Sequence, residues 1–147
     1  MGPSFYDSGE YPPELDDIAR LAEAALLVIP AELRRHLDGV TIHVEEFPSP
    51  EVEEDMELES PFDLLGLYTG VSLAEKSVSA TPQDLDRIFL YRRPILDYWC
   101  ETGEPLSAIV RHVLIHEVGH HFGLSDADME RIERAAEEAA EGTFGSA

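Results

Sequence analysis

The segment from His116 to Asp126 constrains the fold of this chain most, because its polar residues require a helix that stops abruptly. At 3.6 residues per turn, His116 and His120 lie about 40° apart around a helix and one turn apart along it. Both imidazoles therefore project from one face, with Glu117 beside them. Gly123 can adopt a positive φ without a Cβ clash, so the helix can end there. The segment predicts a helix, a sharp stop and a change of chain direction.

The paired histidines and the adjacent carboxylate predict a hydrolytic zinc site. Neutral imidazoles bind zinc, which lowers the pKa of its bound water to about 7. Glu117 would take the proton as that water attacks a carbonyl. We therefore predict that His116 and His120 bind the metal and that Glu117 is the general base.

The third zinc ligand is expected just beyond the helix. Catalytic zinc usually has three protein ligands and one open position. A turn at Gly123 would swing Asp126 back towards the metal, so Asp126 is the predicted ligand. Glu130, one helical turn further on, remains the alternative. His112 precedes His116 by one turn and is interpreted as a surface or core histidine; the alternatives are a hydrogen-bond partner of a ligand or a fourth ligand. His121 is interpreted as a packing or surface residue.

The residues before the motif favour the helix that this chemistry needs. They form a broad apolar stripe at helical spacing: Leu106, Ile109, Val110, Val113, Leu114, Val118 and Phe122. Between Val113 and Phe122, Glu117 is the only acidic or basic residue apart from the histidines. The motif therefore lies on a buried helix.

Charge and composition restrict the partners. A formal net charge of −21 argues against nucleic acid and anionic membranes, because their phosphates would be repelled. A peptide or protein substrate, possibly a basic one, is favoured instead. The one cysteine, Cys100, excludes an intrachain disulfide, and the acidic N-terminus lacks the basic start of a signal peptide. We expect a cytoplasmic protein; the sequence does not predict its oligomeric state.

The order of predicted elements indicates an α+β fold. A helix after Pro13 and a short one at Ala31 to Leu37 precede strands at Val40 to Phe47, Leu64 to Val71 and Arg87 to Ile95. The motif helix and a final helix, Asp128 to Glu141, follow. This order predicts helices packed on a small mixed sheet. We expect one domain over residues 1–147, with residues 1–11 and 142–147 flexible.

The spacing His-Glu-x-x-His-x-x-Gly-x-x-Asp resembles the metzincin clan of zinc peptidases, with aspartate where many members have a third histidine. The element order from Val40 to Asp128 is similar to small bacterial zincin-like metallopeptidases that consist of the N-terminal half of a zincin. The resemblance implies a minimal zincin-like domain that uses Zn²⁺. It also implies that the Arg87 to Ile95 strand is the edge on which an extended substrate pairs.

Two departures from the metzincin pattern concern the surroundings of the metal. The methionine turn expected well after the third ligand is absent or rebuilt, because the only methionine downstream is Met129, three residues past Asp126. A full peptidase also has a second subdomain that closes the cleft, whereas only twenty-one residues follow Asp126, so we expect shallow substrate binding. Candidates for substrate or oxyanion contacts are Tyr68, Tyr91 and Arg92, although an ordinary salt bridge explains the arginine equally well.

Three classes of function are consistent with these residues. The first is a zinc peptidase. The second is a zinc-binding protein of the same fold with little peptidase activity, which binds partners through its acidic surface. The third is an iron oxygenase, since two histidines and a carboxylate also form that metal site. Glu117 favours the peptidase, because a purely structural site would not need a base.

Overall fold

The computed structural model describes residues 11–70 and 86–145. Its α-helices are α1 (Leu15–Val28), α2 (Ala31–Arg34), α3 (Pro50–Asp55), α4 (Arg92–Thr102), α5 (Leu106–His121) and α6 (Asp126–Gly145). Its strands are β1 (Thr41–Glu45), β2 (Gly66–Thr69) and β3 (Arg87–Tyr91), and short 3₁₀ turns occupy Arg35–Leu37 and Pro61–Asp63. The predicted α+β fold, with a small mixed sheet and the motif on a helix, is confirmed.

The sheet has the strand order β1-β3-β2, so β3 is its central strand. β3 runs parallel to β1, with Val44 opposite Leu90, and antiparallel to β2, with Leu67 opposite Phe89. Both sides of β3 are therefore used by pairing within the sheet. Among the described strands, β1 and β2 form the two edges.

This strand order shows that the prediction of Arg87 to Ile95 as a substrate-pairing edge is wrong. A central strand has no free row of backbone groups to offer a peptide. The strand is also shorter than predicted, because it ends at Tyr91 and α4 begins at Arg92. Pro94 lies in the first turn of α4, where its missing N–H would have had no intrahelical partner.

The core lies between the sheet and the helices α1, α5 and α6. Ile88 and Leu90 of β3 are fully buried, as are Leu114 and Val118 of α5. Gly66 lets α5 approach β2 closely, since a Cβ at this position would lie 2.6 Å from Val113 Cγ1. The glycine inside the second predicted strand therefore sets the distance between the motif helix and the sheet.

Some predictions fall outside the described residues. Of the ends predicted to be flexible, residues 1–10 and 146–147 lie outside the described ranges. The preceding residues belong to α6, which continues to Gly145. The end of the second predicted strand, Val71, also lies outside these ranges. Across residues 11–70 and 86–145, no helix combines the length and the apolar character needed to cross a bilayer.

Candidate functional site

Three histidines follow one another at one-turn intervals on α5. The rings of His112 and His116 are stacked, with centroids 4.0 Å apart and an interplanar angle of 29°. The rings of His116 and His120 are nearly perpendicular, with centroids 5.8 Å apart and an interplanar angle of 76°. The predicted pair thus shares one face of the helix, and His116 lies between two histidine neighbours.

Glu117 is held against the sheet. Its Oε1 accepts a hydrogen bond of 3.2 Å from the backbone N–H of Tyr68 on β2. Burial raises the pKa of Glu117, while the Tyr68 N–H and the charge of His120 act in the opposite direction. A partly buried carboxylate with a raised pKa is a better proton acceptor than an exposed one, as a general base requires.

The chain reverses immediately after the motif, as the glycine predicts. Gly123 has a φ of +75° and lies outside α5. Leu124 N–H donates to the Gly119 carbonyl and Gly123 N–H to the His120 carbonyl, the paired bonds of a Schellman helix end. Ser125 then caps α6 by accepting a hydrogen bond from Asp128 N–H at 3.1 Å.

Asp126 is the first residue of α6 and is exposed to solvent. Glu130, the alternative ligand, is exposed one turn later. Among the described residues, the group of potential ligand atoms that includes His116 contains neither of these two carboxylates. The assignment of the third ligand therefore stays a prediction.

The acidic side chain that does reach the histidines is Glu133, on the second turn of α6. Its Oε2 lies 2.7 Å from His112 Nδ1 and its Oε1 lies 3.1 Å from His116 Nε2. Sequence reasoning missed this residue. The available signal was the apolar stripe of α6, formed by Met129, Ile132 and Ala136, which are all buried in the core. Glu133 is adjacent to this stripe, since it follows Met129 by four residues and precedes Ala136 by three.

The predicted substrate contacts have defined structural environments. Tyr68 donates its hydroxyl to Asp86 at 2.8 Å, and burial followed by this hydrogen bond raises its pKa. Tyr91 is 1% exposed, and burial together with the charges of Glu45 and Glu117 raises its pKa to about 12. Both phenols therefore stay protonated at neutral pH and can donate hydrogen bonds.

Arg92 joins the N-terminal segment to the end of β1. Its Nε donates to the Pro13 carbonyl at 2.7 Å and its Nη1 to Glu46 at 2.8 Å. The contact with Glu46 is the ordinary salt bridge that the sequence suggested for Arg92. His121 stacks on Tyr68 with centroids 3.9 Å apart, in agreement with the packing role expected for it.

Met129 supports the motif helix from the side of α6. It is fully buried, and a Cβ at Gly119 would lie 2.5 Å from its Sδ atom. Gly119, between the two motif histidines, thus leaves room for the methionine. A methionine lies beneath the motif here, but it comes from the following helix.

The donor set fits zinc. Two imidazoles on one tetrahedral zinc place their ring centroids about 5 Å apart, given Zn–N bonds of about 2.1 Å. The 5.8 Å between the rings of His116 and His120 is close to this value. Imidazoles with a carboxylate are a ligand set that zinc commonly takes, so the residue types present fit this ion.

Comparison with known proteins agrees with this geometry. Residues 37–136 match the family model described as Zincin-like metallopeptidase. The matched region is more than half of the chain and includes β1, β2, β3 and all of α5. No curated protein matches the chain. The chain therefore belongs to the zincin-like metallopeptidase family.

Proposed function

We propose that this chain hydrolyses peptide bonds with zinc and that Glu117 is the general base. Membership of the zincin-like metallopeptidase family supports a function of the zinc peptidase type. The observation that carries the finer proposal is Glu117 itself. It is partly buried, follows His116 directly, and is oriented by the backbone of the sheet.

In this proposal the zinc ligands are His116, His120 and Asp126. Zinc bound there would lower the pKa of a water molecule and polarise the substrate carbonyl. His116 and His120 project from one face of α5, as a shared ion requires. Asp126 follows the Gly123 turn, and its exposure leaves its side chain free to change rotamer.

Glu117 takes the proton from the attacking water and returns it to the departing amine nitrogen. The Tyr68 N–H fixes one carboxylate oxygen, so the other oxygen is left for the proton. Desolvation makes this transfer easier, because it disfavours the ionised state of the carboxyl group. The same hydrogen bond keeps the base from rotating away from the histidines.

The substrate should lie along β2 and not along β3. Tyr91 N–H donates to the Leu65 carbonyl, and hydrogen-bonded pairs alternate along an antiparallel ladder. Leu67 and Thr69 therefore make the next backbone hydrogen bonds to β3, and the backbone groups of Gly66 and Tyr68 point to the other side of β2. Tyr68 N–H already meets Glu117 on that side, which places the edge of the strand next to the base. An extended peptide on this edge would bring its carbonyl groups near Glu117.

The test is the substitution Glu117→Gln, which keeps the shape of the side chain and removes the base. We expect a loss of roughly 10²- to 10⁴-fold in kcat on an extended peptide, with zinc content and thermal stability of the zinc-loaded protein retained. Glu138→Gln, an exposed change on α6, is the matched control and should leave the rate unchanged.

Equal rates for the wild type and Glu117→Gln would contradict the proposal. The cleavage would then come from a contaminant or another base. A zinc-loaded wild type that cleaves no peptide would leave the chain as a zinc-binding protein of this family.

A further inference from the structure

We propose that His112, His116 and Glu133 form a second metal-binding position, which overlaps the catalytic one through His116. These three residues form a group of potential ligand atoms that all lie within 4.8 Å of one another. The group joins two turns of α5 to α6. Its existence rests on this geometry, and its overlap with a catalytic site rests on the function proposed above.

The distances are close to those of a coordination shell. The ligand atoms of a tetrahedral zinc lie about 3.4 Å apart. Glu133 has its two oxygens 2.7 Å from His112 Nδ1 and 3.1 Å from His116 Nε2. A divalent cation entering between them would replace these two hydrogen bonds, and the carboxylate would need only a small shift.

The group can admit an ion from solvent. The side chain of His112 is 52% exposed, while those of His116 and Glu133 are 24% and 29% exposed. The stacked imidazoles must separate by about 1 Å to bind one tetrahedral ion, and the exposed His112 ring can make that movement. Partial burial of the other two groups fixes them and strengthens their attraction for a cation.

The two positions exclude each other. His116 has its Nε2 against Glu133, and a ring nitrogen has one lone pair to give to one metal ion. A metal held by His112, His116 and Glu133 therefore takes His116 away from His120. The wild-type chain should bind one ion at this helix and distribute it between the two positions.

The experiment removes the catalytic position first, with His120→Ala. In this background we compare the added substitutions His112→Ala, Glu133→Gln and, as a matched control, Glu138→Gln. Zinc affinity of the metal-free proteins is measured by competition with a chromophoric chelator, and Co²⁺ spectra report the coordination. Folding is checked by circular dichroism, and Glu133→Gln provides a shape-conserving variant beside His112→Ala.

We expect His120→Ala to bind one zinc ion, and the control to bind it with equal affinity. Adding His112→Ala or Glu133→Gln should weaken binding by about a hundredfold or more, since even partners of metal ligands contribute about 10- to 100-fold. No zinc binding by His120→Ala would overturn the proposal. So would a loss caused by Glu133→Gln alone, since Glu133 would then serve a site without His112.

These results do not depend on whether the chain cleaves peptides. The background already lacks His120, so failure of the proposed peptidase activity would leave the metal measurements intact. Conversely, equal affinities in all four variants would remove the second position without affecting the role of Glu117.

Discussion

At the scale of single residues, Glu117 combines two requirements that usually oppose each other. It must be desolvated to accept a proton readily and held in place to accept it from one direction. Burial supplies the first, and the Tyr68 N–H supplies the second at 3.2 Å. The cost is a buried carboxylate in the metal-free protein, which should destabilise the fold at neutral pH.

The metal-free protein should therefore become more stable when Glu117 is replaced by Gln. The pKa of Glu117 is raised in the folded state, so the unfolded chain ionises first as the pH rises. The free energy of unfolding of the wild type therefore falls as the pH rises from the ordinary carboxyl pKa to the raised one. The advantage of Glu117→Gln should vanish below the ordinary carboxyl pKa of about 4, grow as the pH rises above it, and level off above the raised pKa.

Urea unfolding of both proteins in the presence of a chelator measures this difference. Glu138→Gln, a change of the same kind at an exposed position of α6, is the matched control. An advantage of Glu117→Gln that grows towards low pH would contradict the raised pKa.

The third zinc ligand can be identified in a background that lacks His112. The substitution His112→Ala removes the second position, so zinc binding then reports the catalytic one. We expect Asp126→Ala to weaken zinc binding by about tenfold or more, and Glu130→Ala to change it little. The reverse ranking in a chelator competition would transfer the ligand role to Glu130.

At the scale of secondary structure elements, the motif helix depends on the helix that follows it. Met129 of α6 fills the space beside Gly119, the residue that precedes His120 in the motif. The turn at Gly123 and the Ser125 cap fix how α6 returns to α5. The same return brings Glu133 to His112 and His116. The α5–α6 pair is thus the unit that organises the metal ligands.

Gly119→Ala should destabilise the fold by about 1–3 kcal/mol, because its Cβ would meet the buried Met129 at 2.5 Å. Gly142→Ala, with no atom within 4 Å, is the matched control and should stabilise α6 by up to about 1 kcal/mol. Thermal unfolding measures both. In a Met129→Ala background the cost of Gly119→Ala should disappear, and an unchanged cost would exclude this contact as the cause.

At the scale of the whole molecule, charge is the dominant property. Thirty-one Asp and Glu residues against ten Lys and Arg give the net charge of −21. Such a surface raises the local concentration of cations and repels anionic partners. Exposed pairs such as Arg131 with Glu32, at 2.6 Å, neutralise a small part of this excess. Both the metal and a basic peptide would be attracted to the molecule.

This charge predicts a preference for basic substrates. Of two peptides with one cleavage sequence, the Lys-flanked one should have a kcat/KM about tenfold or more above the Glu-flanked one at low ionic strength. The ratio should fall towards one as salt shortens the screening length from about 30 Å at 0.01 M to about 8 Å at 0.15 M. A ratio independent of salt would assign the preference to local contacts.

Features that depend on neighbouring residues could be predicted from the sequence. The helical spacing of His116 and His120, the stop at Gly123 and the apolar stripe of α5 each involve contacts within a few positions. The fold class also followed from the order of such local patterns. The end of β3 at Tyr91 was harder to predict, because over a short run of residues the apolar pattern of a strand and that of a first helical turn are similar.

Contacts between segments that are distant in the sequence could not be predicted and depend on how the chain packs. The position of β3 between β1 and β2 depends on pairing between residues that are distant in the sequence, such as Val44 with Leu90, and no periodicity encodes that order. The contacts of Glu133 with the histidines and of Met129 with Gly119 depend on how α6 packs on α5. The helical spacing of the sequence therefore predicts which residues α5 presents on one face. Which residues of α6 meet that face depends on the packing of the two helices.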